Sequence, residues 1–316
     1  MKSLVTGGAG FIGSEFVRQL LKLPNHEIVV IDSLRYSGSL TNLDGIQFGI
    51  EFIQMDIRNK EQVWKLFSRS QFDSVINFAA ETHVDNSISS PSIFSETNII
   101  GTSNLLESCH EFGVNLFFQI STDEVYGSML TGLANEQDKL NPSSPYSASK
   151  ASAELLVNAF AHTYSLNTLI ARCSNNYGPY QYPEKFIPVA IKHLMNGNQV
   201  PVYGSGLNVR EWIYVTDTCT ALIEILLKGK YGEIYNVSSG NFKSNIEIVH
   251  KLCEIMGITD NRIDFVQDRL GHDFRYAIDS SKIRNDLNWE TKTNLDDGLS
   301  KTIEWYENNS ERFNKW

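Results

Sequence analysis

Residues Ser121-Thr122-Asp123-Glu124 set two hydroxyls and two adjacent carboxylates directly after the apolar run Leu116-Phe117-Phe118-Gln119-Ile120. Such a run reads as a buried parallel strand, so the carboxylates stand where that strand ends and a ligand crevice opens. Downstream, Tyr146-Ser147-Ala148-Ser149-Lys150 puts a phenol and an ammonium at i and i+4, on one face of a helix. A nearby ammonium stabilises phenolate and lowers the tyrosine pKa, making the phenol a usable base near neutral pH. Neighbouring carboxyls split their pKa values, so one can act as acid while the other acts as base. Together these groups suit a site that oxidises an alcohol and moves protons at two neighbouring carbons. The competing reading is that Asp123 and Glu124 merely cap a helix after the strand.

A second constellation lies at the start of the chain. Thr6-Gly7-Gly8-Ala9-Gly10-Phe11-Ile12-Gly13 stands between a strand-like and a helix-like segment. Glycines 7, 10 and 13 permit a tight turn and let a pyrophosphate approach the backbone, while the helix N-terminus offers free N–H groups. Asp32, at the end of the next apolar run, suits a ribose 2′-OH and would repel a 2′-phosphate, which points to NAD. Arg35 reads either as a solvated loop residue or as a phosphate contact. Asp56-Ile57 can face an adenine, although a capping Asp56 would look the same. Phe78-Ala79-Ala80 offers small residues where a flat cofactor needs close approach.

Regular elements must bring these groups together. Apolar runs predict strands at 2–5, 27–31, 51–54, 74–77, 116–120 and 167–172. Helical spacing predicts helices at 13–23, 60–68, 92–112 (a long one) and 146–164. This alternation implies right-handed βαβ units: an α/β fold with a Rossmann-like, doubly wound parallel sheet covered on both faces. Past residue 172 the pattern changes. Residues 175–188 are rich in Asn, Tyr, Gly and Pro and read as loop and binding surface. Strands at 212–215 and 233–237 flank a helix at 216–227, and helices near 245–256 and 296–308 enclose a polar stretch. The expected division is a cofactor domain at 1–172, to which 212–240 returns, and a smaller interleaved substrate lobe at 173–211 and 241–316.

A chain of 316 residues can bury a large core, and 41% hydrophobic and 20% charged residues are ordinary for a globular protein. The net charge of −10, with both signs dispersed, argues against nucleic-acid and anionic-membrane partners. A local basic pocket for one phosphate ligand remains compatible with it. The first residues run into the glycine loop without a signal-like apolar stretch. Cys109, Cys173, Cys219 and Cys253 lack paired spacing and read as reduced, buried thiols, so a cytoplasmic location is expected. No metal-ligand pattern appears, and no metal is expected.

The glycine loop, the βα order and Tyr146-x-x-x-Lys150 resemble the extended short-chain dehydrogenase/reductase superfamily. Four runs narrow this over nearly the full chain: Ser121-Thr122-Asp123-Glu124-Val125-Tyr126-Gly127, Asn175-Asn176-Tyr177-Gly178-Pro179-Tyr180-Gln181, Asn208-Val209-Arg210-Glu211-Trp212, and Arg269-Leu270-Gly271-His272-Asp273-Phe274-Arg275-Tyr276. They are similar to the dTDP-glucose 4,6-dehydratase family, with Leu270 where that family usually has Pro and Thr82 where it has Ser.

The resemblance implies NAD held by Gly7, Gly10, Phe11, Ile12, Gly13, Asp32, Ser33, Asp56, Ile57, Phe78, Ala79, Ala80, Glu81, Thr97, Tyr146, Lys150 and Asn176. It implies catalysis by Thr122, Asp123, Glu124, Tyr146 and Lys150, giving a 4-keto-6-deoxy sugar nucleotide. Tyr146 would take the C4 hydroxyl proton, Glu124 the C5 proton, and Asp123 would protonate the leaving C6 hydroxyl. For the substrate it implies Thr82 and Thr122 at the hexose, Asn175 at the phosphates, and Lys185, Phe186, Pro201 and Tyr203 around the nucleotide. Arg210 and Arg275 would grip the diphosphate, and Asn245, His272 and Tyr276 complete the set. A homodimer pairing the helices at 92–112 and 146–164 is usual in that family. The alternatives are a C4 epimerase or a dehydratase for another nucleotide sugar, and a non-catalytic NAD-binding scaffold on the same fold. The Asp123–Glu124 pair speaks against the epimerase.

Overall fold

The structure is a computed structural model that describes residues 1–312. Strands β1 (Lys2–Thr6), β2 (Glu27–Asp32), β3 (Glu51–Gln54), β4 (Ser74–Asn77), β5 (Leu116–Thr122) and β6 (Thr168–Cys173) form most of a seven-stranded sheet. Next come β7 (Asn175–Tyr177), β8 (Val200–Tyr203), β9 (Val209–Tyr214), β10 (Ile234–Val237), β11 (Phe242–Ser244) and β12 (Ile263–Val266). The large sheet runs β10-β6-β5-β4-β1-β2-β3 with every pairing parallel. This is a Rossmann-like doubly wound α/β sheet. Its order reverses between β1 and β4, so the crevice for a ligand opens at the carboxyl ends of those two strands.

Alternation along each strand sends neighbouring side chains to opposite faces. Val5, Val30, Ile76, Phe118 and Ala171 meet Phe16, Val17 and Leu20 of helix Phe11–Leu20 and Leu222 and Ile225 of helix Val215–Lys228. Leu4, Val29, Val75, Phe117 and Ile170 meet Val63, Phe67, Leu105, Leu106 and Val157 on the other face. A separate core joins Ile187, Ile191, Val200, Trp212, Ile248, Leu252, Leu299 and Ile303, under a sheet β11-β9-β7 and the pair β12-β8. The four cysteines are buried and unpaired. No helix among the described residues is long and apolar enough to cross a membrane.

Three expectations about elements need correction. The long helix expected at 92–112 is instead a succession of α-helix Pro91–Phe94, π-helix Ser95–Gly101 and α-helix Thr102–Glu111. The wide π turn carries Asn98 to both backbone groups of Glu81 (2.8 and 3.0 Å) and to Ser149 (2.8 Å), contacts a regular helix would aim elsewhere. The loop expected at 175–188 begins with β7 and ends inside helix Phe186–Met195. Pro188 is tolerated there because first-turn N–H groups have no intrahelical acceptor to lose. The polar stretch before residue 276 contains β12, and helix Ser281–Leu287 follows it, disguised by Lys282, Arg284 and Asp286 around its two buried apolar residues, Ile283 and Leu287.

Beneath the end of β5 lies a buried ion pair. Arg172 donates to Glu154 from Nε (3.0 Å) and Nη2 (2.6 Å), and also to the Tyr126 hydroxyl (2.7 Å). Ser121 hydrogen-bonds the same Glu154, which anchors the strand just before the carboxylate pair. Removing one partner strands a buried charge. Arg172→Met should therefore lose roughly 3–5 kcal/mol in denaturant unfolding, and Arg172→Met/Glu154→Leu should recover most of it. A single-variant loss under about 1 kcal/mol would show the pair to be dispensable.

Candidate active site

One cavity runs along the carboxyl ends of β1, β2, β4, β5 and β6. Every residue expected to hold the cofactor lines it, as do Thr122, Asp123 and Glu124 and the substrate candidates Thr82, Asn175 and Lys185. The glycine loop folds back on itself there. Gly7, at φ +65°, would put a Cβ 2.6 Å from the Ala79 nitrogen, and a Cβ on Gly13 would meet the Gly7 carbonyl at 2.3 Å. Only bare backbone fits between this loop, the helix start and β4.

Asp32 accepts from the N–H groups of Ala9 (3.0 Å) and Leu34 (2.8 Å), and burial still pushes its carboxyl up. Arg35 is exposed in its loop, as the solvated reading expects. It pairs with Glu81 at 3.2 Å across the cavity wall. Asp56 does not cap the next helix, since Asn59 does so through Gln62 N. It grips Arg58 instead, at 2.6 Å, and that hydrogen bond holds its carboxyl below the usual range. Thr97 Oγ1, Ser174 Oγ, Asn175 Oδ1 and Asn176 Oδ1 are buried in this wall without a hydrogen-bond partner. Buried polar atoms left unpaired are the mark of a surface shaped for a ligand.

At the end of β5 the capping reading fails. Thr122, not the carboxylates, caps the single 3-10 turn Asp123–Tyr126, accepting from Glu124 N at 3.3 Å. Asp123 is buried, with Oδ2 lacking any partner. Burial, then the Glu124 and Glu211 carboxylates, push its pKa well above the ordinary value. Glu124 is raised too, chiefly by burial, but Arg269, Arg210 and Lys185 oppose the rise. Adjacent in sequence, the two carboxyls differ in balance: carboxylates outweigh the opposing Arg210 at Asp123, while at Glu124 three cations act against Asp273.

Tyr146 enters from helix Pro145–Tyr164, whose start is fixed by a capping box between Ser144 and Ser147. Its phenol is hydrogen-bonded to Thr122, while burial and the Glu124 and Asp123 carboxylates push its pKa well up. This departs from the expected lysine effect. Lys150 sits one turn on as expected, but its Nζ donates to the Ile120 carbonyl at 2.6 Å. Burial brings that amine down to about 8, against the pull of Glu154.

The other substrate candidates are not among the residues that line the cavity. Arg210 is buried, donates from Nη2 to the Asp273 carbonyl (2.9 Å) and lies 4.3 Å over the Tyr276 ring. The Tyr276 hydroxyl is 3.4 Å from Glu124 Oε2 and 2.7 Å from Asp273 Oδ2. Arg275 donates to the Met129 and Gly132 carbonyls, both at 2.8 Å. Tyr203 and His272 pack edge to face at 6.2 Å, and His272 bonds Asp268 at 2.6 Å. Phe186 lies against Trp212, Pro201 sits in β8, and Asn245 opens helix Asn245–Ile255. Sequence reasoning missed Tyr36, Gln181, Tyr182 and Glu184 in the cavity wall, and Arg269 near Glu124. Glu184 had a signal, since it adjoins Lys185; Tyr36 and Tyr182 meet only through the fold, ring edge to face at 5.6 Å.

Comparison with known proteins gives consistent matches. The model of the family described as GDP-mannose 4,6 dehydratase matches residues 4–302. The chain is 48% identical to the low-salt glycan biosynthesis protein Agl12 of Haloferax volcanii, over 97% of this chain and 98% of that protein. It is 43% identical to a dTDP-glucose 4,6-dehydratase of Escherichia coli, over 98% of this chain and 95% of the relative. The solved structure of DesIV, a dTDP-glucose 4,6-dehydratase from Streptomyces venezuelae with NAD bound, superposes with a TM-score of 0.96. That match has 42% identity and covers 99% of this chain and 98% of the other.

Proposed function

This chain belongs to the family described as GDP-mannose 4,6 dehydratase, and we propose that within it the chain is an NAD-dependent dTDP-glucose 4,6-dehydratase, a hydro-lyase. Its full-length relatives of that activity support the substrate. The observation that carries the chemistry is the opposed surroundings of Asp123 and Glu124, beside Tyr146 in the cavity that begins at the glycine loop.

The cavity fits NAD. Gly7, Gly10 and Gly13 leave backbone N–H groups for the pyrophosphate, Asp32 stands at the ribose position, and the unpaired Thr97 and Asn176 oxygens await donors. Bound there, NAD would supply the hydride acceptor for oxidation at C4 and the hydride donor for reduction at C6. Tyr146 Oη accepts the C4 hydroxyl proton, oriented by its hydrogen bond with Thr122. The ketone at C4 then acidifies the C5 hydrogen, and Glu124, kept ionisable by its cationic neighbours, removes it. Asp123, held protonated, gives its proton to the C6 oxygen, which leaves as water. Glu124 finally returns a proton to C5. Lys185, Arg210, Tyr276 and the other substrate candidates of the smaller lobe bind the nucleotide and sugar against the cofactor domain, which contributes Thr82 and Thr122.

Gly13→Ala should weaken NAD binding at least tenfold and cost roughly 1–3 kcal/mol of stability, because its methyl group would overlap the Gly7 carbonyl. Calorimetric titration and thermal unfolding check both. The activity itself is tested by incubating the protein with NAD and dTDP-glucose. The 4-keto product, seen by its absorbance in alkali and without net NADH, is expected; a C4 epimer in its place would overturn the reading.

Two finer points complete the proposal. A homodimer would bury Ile100 and Leu155, exposed on the neighbouring helical bodies Ser95–Gly101 and Pro145–Tyr164. A cytoplasmic location suits four buried, unpaired thiols.

A further inference from the structure

Asp273 has no part in the chemistry above, yet it ties the carboxylate base to the surface. Its Oδ2 accepts from the Tyr276 hydroxyl at 2.7 Å, and the same hydroxyl oxygen lies 3.4 Å from Glu124 Oε2. On its far side Oδ2 accepts from Ser143, an exposed residue ahead of the Tyr146 helix. Asp273 is buried and its main chain is clamped: the carbonyl accepts from Arg210 Nη2 (2.9 Å) and Asn208 Nδ2 (3.2 Å). An unbroken run of oxygens therefore leads from Glu124 through Tyr276 and Asp273 to Ser143 and bulk water.

The geometry points to a proton wire in which Asp273, acting through Tyr276, exchanges the proton that Glu124 takes from C5 with solvent. This rests on the dehydratase reading, which makes Glu124 the base. The transfer balances without any further reactant. The protonated Glu124 carboxyl donates to Tyr276 Oη as the phenolic proton moves to Asp273, and Asp273 passes a proton to water at Ser143. Tyr276 never has to exist as a phenolate, which suits a phenol that burial pushes far up. The reverse sequence loads Glu124 for the return of a proton to C5. Without the wire, a base facing bound substrate can only hand back the hydrogen it took.

Turnover in deuterium oxide reads this directly. Product quenched in the first turnovers of the wild type should carry deuterium at C5. Asp273→Asn should still form the 4-keto product but with several-fold less deuterium at C5, and Ser143→Ala should show a smaller decrease. Full C5 deuteration in a folded Asp273→Asn enzyme overturns the wire. Should that variant not fold, Tyr276→Phe decides in the same way: full deuteration of whatever product it forms overturns the proposal, and retained protium supports it. Failure of the wild type to make any 4-keto product would instead reject the dehydratase reading, so the two failures are distinct.

Discussion

Replacing Glu124 with Gln should stop the reaction halfway. The amide keeps the size of the side chain and its contact with Tyr276 but cannot take the C5 proton. Loss of a positioned general base costs on the order of 10²–10⁴-fold in rate. That loss should fall on elimination alone, since Tyr146, Thr122 and Lys150 remain to serve C4. Mixing the variant with dTDP-glucose should therefore produce a lasting reduced-nicotinamide absorbance and a bound 4-keto hexose, with almost no 6-deoxy product. Removing Glu124 also takes away a carboxylate that pushes the Tyr146 phenol up, so C4 oxidation should not slow. Ordinary turnover in this variant would refute Glu124 as the base. Absence of the reduced-nicotinamide signal would place Glu124 in the first step instead.

Tyr146→Phe should fail earlier. The ring stays, with its edge-to-face contact with Phe94 (centroids 6.3 Å apart), so packing is preserved while the Thr122 hydrogen bond and the proton acceptor are lost. C4 oxidation should slow by roughly 10²–10⁴-fold, and no reduced nicotinamide should accumulate. The pH dependence separates this from a packing effect. A phenol held above its ordinary pKa is the scarcer species in its basic form, so wild-type C4 oxidation should quicken as pH rises from neutrality. In Tyr146→Phe that dependence should vanish. Rapid-mixing measurement of reduced nicotinamide across pH checks both. Formation as fast as in the wild type would remove Tyr146 from the role.

The cofactor half of the site was legible because local rules govern it. A tight turn needs Gly7 and Gly13 whatever the rest of the chain does, and Asp32 follows from the strand that carries it. The strands of the large sheet were readable for the same reason: burial on both faces leaves continuous apolar runs such as Leu116–Thr122. The π segment at Ser95–Gly101 was not legible, since its helical pattern scarcely differs from an α-helix and only the Asn98 contacts with Glu81 and Ser149 reveal it. β12 and β8 were hidden likewise, being short strands whose partners are distant in sequence.

At the carboxylate pair, the sequence offered two acids but not their difference. That difference comes from Glu211 on one side and Arg269 and Lys185 on the other, with Arg210 acting on both, groups brought together only by the fold. The lysine effect on Tyr146 was misjudged for a related reason. The i, i+4 spacing puts both side chains on one helix face, but the Ile120 carbonyl at the end of β5 takes the ammonium.

The central claim is that one site oxidises C4, eliminates water across C5 and C6, and reduces C6. It is tested most directly by following the hydrogen of C4. With dTDP-glucose deuterated at C4 and run in ordinary water, the account predicts a 4-keto-6-deoxy product whose deuterium lies in the C6 methyl group, as read by proton and deuterium NMR. Deuterium still at C4 of an epimerised sugar, or lost to solvent, would contradict it.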